Sequence, residues 1–189
     1  MDKMVDADTG DHAVRYKNIV VAIHWITSLF VLTQIYLGLQ FADMPKGPAR
    51  MDLFTWHKTV GVIILLLALA RLAVRLINPP PPFPADFPKW ERAVAVWSHR
   101  AFYVLLIGLP LTGLAAVSKK AVGGMTELKG GLSFPVVPID GISEVHSLLA
   151  WSLIVLLVLH VAAALKQQFY DKTDVANRMP PFRSQPERG

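Results

Sequence analysis

The sequence predicts an all-α integral membrane protein, a four-helix bundle with both termini in the cytoplasm. Three observations predict it. The chain has 189 residues, 53% hydrophobic and only 17% charged, with a mean hydropathy of +0.40. A soluble domain of this length carries more charge and shorter apolar runs. The intervals from Lys17 to Asp43 and from Glu144 to Lys166 contain no charged residue between their ends, and each is long enough for the roughly 20 residues that cross the hydrocarbon core. The third observation is the distribution of Lys and Arg. Thirteen fall in the N-terminal tail, the 71–100 connection and the C-terminal tail, against six in the other two connections. Basic residues accumulate on the cytoplasmic side, which sets the orientation.

The elements follow in order. Residues 1–17 form a tail carrying Asp2, Asp6, Asp8 and Asp11, unlike the basic start of a secretory leader. The first helix, near 18–41, is therefore expected to stay as an uncleaved anchor. The second, near 53–77, has its apolar centre at Thr59 to Ala70 and extends to Ile77 with Arg71 and Arg75 accommodated. The 78–90 segment is rich in proline, which lacks an amide donor and fixes φ, so it is expected to run as an extended polyproline-like strap. A third helix is expected near 96–118. The 119–142 connection, with Gly123-Gly124, Gly130-Gly131, Pro135 and Pro138, reads as an irregular periplasmic cap. The fourth helix is expected near 143–167, followed by a tail over 168–189. Trp25, Trp56, Trp90, Trp97 and Trp151 sit mostly near span ends, as an interfacial belt does. No hydrophilic stretch is long enough for a second domain, so 18–167 reads as one transmembrane unit. The net charge of +5 is mostly the inside bias, and nucleic-acid binding is not expected.

Four histidines lie within the spans. His146 and His160 are fourteen residues apart, which in a helix is about 21 Å of rise and about 40° short of four full turns. Both imidazoles therefore leave one face of one helix, near opposite sides of the membrane. His24 and His160 each lie about 9–11 Å inside the cytoplasmic edge, while His57 and His146 lie about one turn inside the periplasmic edge. Depth thus pairs His24 with His160 and His57 with His146. A single histidine in a span also reads as an interfacial residue or an interhelical hydrogen bond, but ionisable groups there are rare and usually functional. Two level pairs point to two stacked metal centres. Two imidazoles do not fill a zinc tetrahedron, and no carboxylate lies deep enough to help. Haem supplies four nitrogens, needs two axial ligands and buries a large apolar ring. The absence of cysteine excludes thiolate ligation, iron–sulfur clusters and thioether attachment. Bis-imidazole ligation leaves no open iron position, which favours electron transfer over oxygen activation.

Other residues fit around these pairs. Gly38, fourteen residues after His24, shares its face at the depth of the outer pair and would leave room for a porphyrin. Gly61 lies one turn from His57, and Gly108 and Gly113 flank Pro110; all of these also read as small-residue helix packing. Arg71, fourteen residues after His57, sits at the depth of the inner pair, with Arg75 one turn further. Arg71 reads either as a partner for a haem propionate or as a boundary arginine reaching lipid phosphate. His99 has no depth-matched partner, and a role other than metal ligand is expected: a propionate contact, a quinone contact or an interface cap. His12 in the acidic tail is expected to be solvated.

Several blocks resemble a known family. They are Ala22-Ile23-His24-Trp25, Trp56-His57-Lys58-Thr59-Val60-Gly61, and Arg71-Leu72-Ala73-Val74-Arg75 followed by prolines. His99-Arg100-Ala101-Phe102-Tyr103, Pro110-Leu111-Thr112-Gly113, Glu144-Val145-His146 and His160-Val161-Ala162-Ala163-Ala164-Leu165 complete the set. In order and spacing, over about residues 15–180, the chain resembles the bacterial cytochrome b561 family of small four-helix membrane proteins. These are related to the cytochrome b subunits of formate dehydrogenases and nickel–iron hydrogenases. The resemblance implies two non-covalent haem b groups with bis-histidine ligation, a place in the bacterial inner membrane, and electron exchange with membrane ubiquinone. Stand-alone members are linked to superoxide oxidation coupled to ubiquinone reduction, which would make the chain an oxidoreductase of superoxide:ubiquinone type or an electron-transfer protein. Lys119, Lys120 and Lys129 in the outer cap could attract a small anion, or form an ordinary solvated loop. The alternative is a membrane-anchor cytochrome b subunit relaying electrons for a larger dehydrogenase. A transporter or proton pump fits poorly, because proton relays usually need carboxylates within the span and none lies deeper than Glu144.

Overall fold

A computed structural model describes residues 16–84, 87–117, 124–137, 139–172 and 178–179. It contains α1 (Asn18–Ala42), α2 (Pro48–Ile77), α3 (Lys89–Val117), a hairpin of β1 (Met125–Glu127) and β2 (Ser133–Pro135), and α4 (Ile142–Leu165). A π-helical turn, Lys166–Tyr170, ends α4. All four helices are long and apolar enough to cross a membrane. The tails at 1–15 and 180–189, together with Lys119, Lys120, Gly123 and Pro138, lie outside the described residues.

Two helices begin earlier than hydropathy alone predicts. α2 starts at Pro48, because proline at the first helical position forfeits an amide that has no partner there. Arg50 then donates from Nε to the Phe41 carbonyl at 3.0 Å, satisfying an acceptor at the end of α1. α3 starts at Lys89, directly after Pro88, with Arg92 N donating to the Pro88 carbonyl at 3.0 Å. Glu91 lies in its first turn, where the helix dipole favours an anion. The extended strap therefore ends two residues sooner than its composition predicts. α4 stops at Leu165 as the ladder widens, with Asp171 N reaching the Lys166 carbonyl at 3.0 Å.

Within the spans, hydroxyls bond to the preceding turn, as lipid surroundings require. Thr27 donates to the Ile23 carbonyl at 2.6 Å, Ser28 to that of His24 at 2.9 Å and Thr33 to that of Leu29 at 3.0 Å. The helices pack in a row, α1 on α2, α2 on α3 and α3 on α4, while α4 has little direct contact with α1 or α2. The core joins Val31 and Leu37 of α1, Val60, Ile64 and Ala68 of α2, Leu105 and Leu106 of α3, and Leu153 of α4. Leu29, Leu66, Val104 and Val158 point outward and are more than half exposed, the arrangement of a chain whose solvent is lipid.

The connection expected to be irregular contains a β-hairpin. Thr126 pairs with Phe134 in an antiparallel register, and Gly130 and Gly131 supply the two consecutive positive φ angles, 86° and 77°, that close it. The hairpin is fastened to α2. Lys58 Nζ donates to Thr126 Oγ1 at 3.1 Å and to the Glu127 carbonyl at 2.7 Å, Lys129 N donates to Thr59 Oγ1 at 2.9 Å, and Lys129 Nζ pairs with Asp52. At the opposite end, Arg178 donates to the carbonyls of Pro81 at 3.2 Å and Pro82 at 2.8 Å, tying the C-terminal region to the strap.

Candidate functional site

His57 on α2 and His146 on α4 face one another, ring centres 6.4 Å apart and planes at 78°. Because α2 begins at Pro48, His57 lies nine residues along it, deeper than the expected turn. The two rings nevertheless meet. Phe41 stands edge-on to His57 at 5.0 Å.

Hydrogen bonds fix the protons on both rings. His146 Nδ1 lies 3.0 Å from the Leu109 carbonyl and 3.1 Å from Thr112 Oγ1. A carbonyl only accepts, so Nδ1 carries the proton and Nε2 keeps its lone pair. The Gln34 side-chain amide donates from Nε2 to His57 Nε2 at 3.0 Å, which makes that ring nitrogen the acceptor as well. Both imidazoles therefore hold the tautomer in which Nε2 can bind a metal.

Glycines permit this packing. A Cβ on Gly113 would stand 3.1 Å from His146 Cε1, so any side chain there would require the ring to shift away from α3. A Cβ on Gly38 would meet His57 Cε1 at 3.3 Å, and one on Gly61 would meet Gln34 Nε2 at 3.3 Å. Gly38 thus lies against the histidine itself, and Gly61 against the amide that holds it. Gly108 has only ordinary contact with Leu149.

The second group lies at the other end of the bundle. His160 on α4 meets His99 of α3 at 5.6 Å and 90° and Phe102 at 5.1 Å. His24 on α1 has Arg71, His160 and His99 as its ionisable neighbours, and its ring stands edge-on to Trp25 at 5.4 Å. His99, expected to have no depth-matched partner and a role other than metal ligand, lies against one member of the inner pair. Its Nδ1 donates to the Ala95 carbonyl at 2.6 Å. Arg71 lies 6.0 Å from the Tyr103 ring centre and, among the described residues, has no carboxylate partner. Together with Tyr16, Asn78, Arg75, His99, Tyr103 and Met179 it lines an inner cavity.

The donor set can be tested against a haem. Among the described residues no three of His, Cys, Asp and Glu gather to hold a metal unaided, so the imidazole pairs suit a group that brings other ligands. Metal–imidazole bonds of about 2 Å put opposed nitrogens about 4 Å apart, and 6.4 Å between ring centres accommodates that span. His24 Nδ1, His57 Nδ1 and Gln34 Oε1 are buried without a hydrogen-bond partner, which marks both sites as polar loci in an apolar bundle. The residues fit.

Gln34, Thr112 and the Leu109 carbonyl were not singled out from sequence. Gln34 offered a signal, as a polar residue one turn before Gly38 in a charge-free run; a backbone carbonyl offers none. Lys129, considered as an anion attractor, is paired with Asp52 and fastens the hairpin.

Comparison with known proteins agrees with this architecture. The chain is 30% identical over 177 residues to cytochrome b561 homolog 2 of Escherichia coli (strain K12), covering 87% of this chain and 90% of that one. It is 27% identical over 179 residues to cytochrome b561 homolog 1 of the same organism, covering 89% and 98%. With a protein of Yersinia pestis named probable superoxide oxidase CybB it shares 26% over 173 residues, covering 88% and 96%. The profile of prokaryotic cytochrome b561 matches residues 15–181, nearly the whole bundle with all four intramembrane histidines, and the chain belongs to that family of haem b membrane cytochromes.

Proposed function

We propose that this chain is a di-haem b cytochrome of the bacterial inner membrane, with both termini cytoplasmic, that passes electrons from a periplasmic donor to membrane ubiquinone. His57 and His146 hold the outer haem, and His24 and His160 the inner one. Each haem, when bound, supplies a one-electron carrier, and bis-imidazole ligation suits it to transfer over oxygen activation. The observation that carries the reading is the approach of His57 to His146 with Nε2 unprotonated on both rings.

The chain's own residues do the rest. Leu109 and Thr112 orient His146 and raise its basicity by accepting its Nδ1 proton. Arg71, an ionisable neighbour of His24 that has no carboxylate partner among the described residues, would pair with a propionate of the inner haem. The hairpin is anchored by Lys58 and Thr59 to the turn of α2 that carries His57. Superoxide is the donor we propose, on the name of the Yersinia pestis relative. The Asp52 pair leaves Lys129 little charge to offer such an anion, so steering it would fall to Lys119 and Lys120.

The test is an anaerobic optical spectrum of the purified oxidised protein before and after a pulse of superoxide. Rapid appearance of reduced b-type bands, abolished by superoxide dismutase, is the expected result. Reduction by dithionite or quinol but not by superoxide would overturn the donor and leave the cytochrome, directing attention to a partner dehydrogenase.

A further inference from the structure

A second depression borders the inner histidine group at His99, between the end of α2 and the start of α3. It is a groove of about 410 Å³ whose walls include Leu72, Leu76 and Val96, whose floor is the start of the proline strap, and whose polar members include Arg75, His99 and Arg100. Leu76 is 76% exposed, so the groove opens toward the lipid side of the bundle.

Its charge is uncompensated. Among the described residues neither Arg75 nor Arg100 has a carboxylate partner, and Arg100 lies over the Trp97 ring at 4.8 Å. Two guanidiniums at the boundary of a span present planar forks of donors to one opening, and such forks match an anion with several oxygens. The walls beneath are aliphatic and suit an acyl chain. A quinone offers neutral carbonyl acceptors and would leave both charges uncompensated; a phosphodiester on a hydrocarbon tail satisfies both halves of the groove.

We propose that this groove is a binding site for an anionic phospholipid, its phosphodiester held by Arg75 and Arg100 and a chain lying along Leu72, Leu76 and Val96. His99 lines the groove and touches His160. A bound headgroup therefore places a negative charge one imidazole away from the inner histidine pair. The site does not depend on the haem assignment.

The experiment is native mass spectrometry of the intact protein, with its natural cofactors, stripped into phosphatidylcholine and titrated with phosphatidylglycerol. The expected result is a retained phosphatidylglycerol adduct that phosphatidylcholine does not form. At about 1 kcal/mol per basic residue, the double substitution Arg75→Gln and Arg100→Gln should weaken it about thirtyfold, with the optical spectrum unchanged. Replacing both by Lys should restore part of the affinity, since charge returns without the fork. Equal binding of the two lipids by the unsubstituted protein, or undiminished binding by the Gln variant, would overturn the proposal. So would displacement by soluble glycerol phosphate at matched concentration, or by ubiquinone.

Discussion

His146 Nδ1 lies 3.0 Å from the main-chain oxygen of Leu109, and that contact runs in one direction only, because a carbonyl has no proton to give. The side-chain proton of α4 is thereby fixed by the backbone of α3, one residue before Pro110. Nε2 is thereby left unprotonated, on a ring whose centre lies 6.4 Å from that of His57.

Gly113 makes this approach sterically possible. Gly113→Leu should drive the His146 ring away, since even a Cβ would stand 3.1 Å from it. The expected outcome is a protein with one haem in place of two by pyridine haemochrome assay, and loss of only one component from a redox titration. Retention of both would show that the ring does not need this position.

The pairing scheme predicts selective losses. His146→Ala and His57→Ala should each remove the same haem, and His160→Ala and His24→Ala the other, as read from low-temperature optical bands. If His146→Ala and His160→Ala removed the same band, the pairs are wrongly drawn.

Gln34 donates to the very nitrogen that the proposed iron would use. Gln34→Leu removes a bond of about 0.5–1.5 kcal/mol that has to break before that nitrogen can ligate. The outer site of the apoprotein should consequently take up haem up to about tenfold more tightly, measured by spectral titration. Weaker uptake would show that the amide supports the ligand in the loaded state.

The hairpin depends on Lys58 more than on the Lys129 ion pair. Lys58→Met removes two charge-assisted bonds, and amide exchange over 124–136 should accelerate about tenfold or more. Asp52→Asn breaks an ion pair in which Asp52 is 55% exposed, worth less than about 1 kcal/mol, so exchange there should change less than about fivefold.

Much of this was legible in the sequence. The charge-free runs located α1 and α4 to within a few residues, and fourteen-residue spacing placed His146 and His160 on one face. The helix starts at Pro48 and Lys89 were misjudged because hydropathy reports where lipid begins, while proline chemistry decides where a helix begins. The hairpin was missed because Met125–Glu127 and Ser133–Pro135 are short, and only their docking onto Lys58 and Thr59, remote in sequence, holds them. Depth alone gives His99 no partner. Helical depth does not report which side chains of a neighbouring helix lean together, and the contact with His160 follows from how α3 and α4 cross.

The row of helices leaves α4 attached mainly along one side, to α3, with Leu153 its one buried side chain. Each proposed pair joins α4 to a helix it scarcely touches, α2 through His57 and α1 through His24. The cofactors would thus be cross-bracing, closing an open rank of helices into a ring. Losing one would cost the molecule a structural tie as well as an electron carrier, and the fourth helix would be the first to loosen.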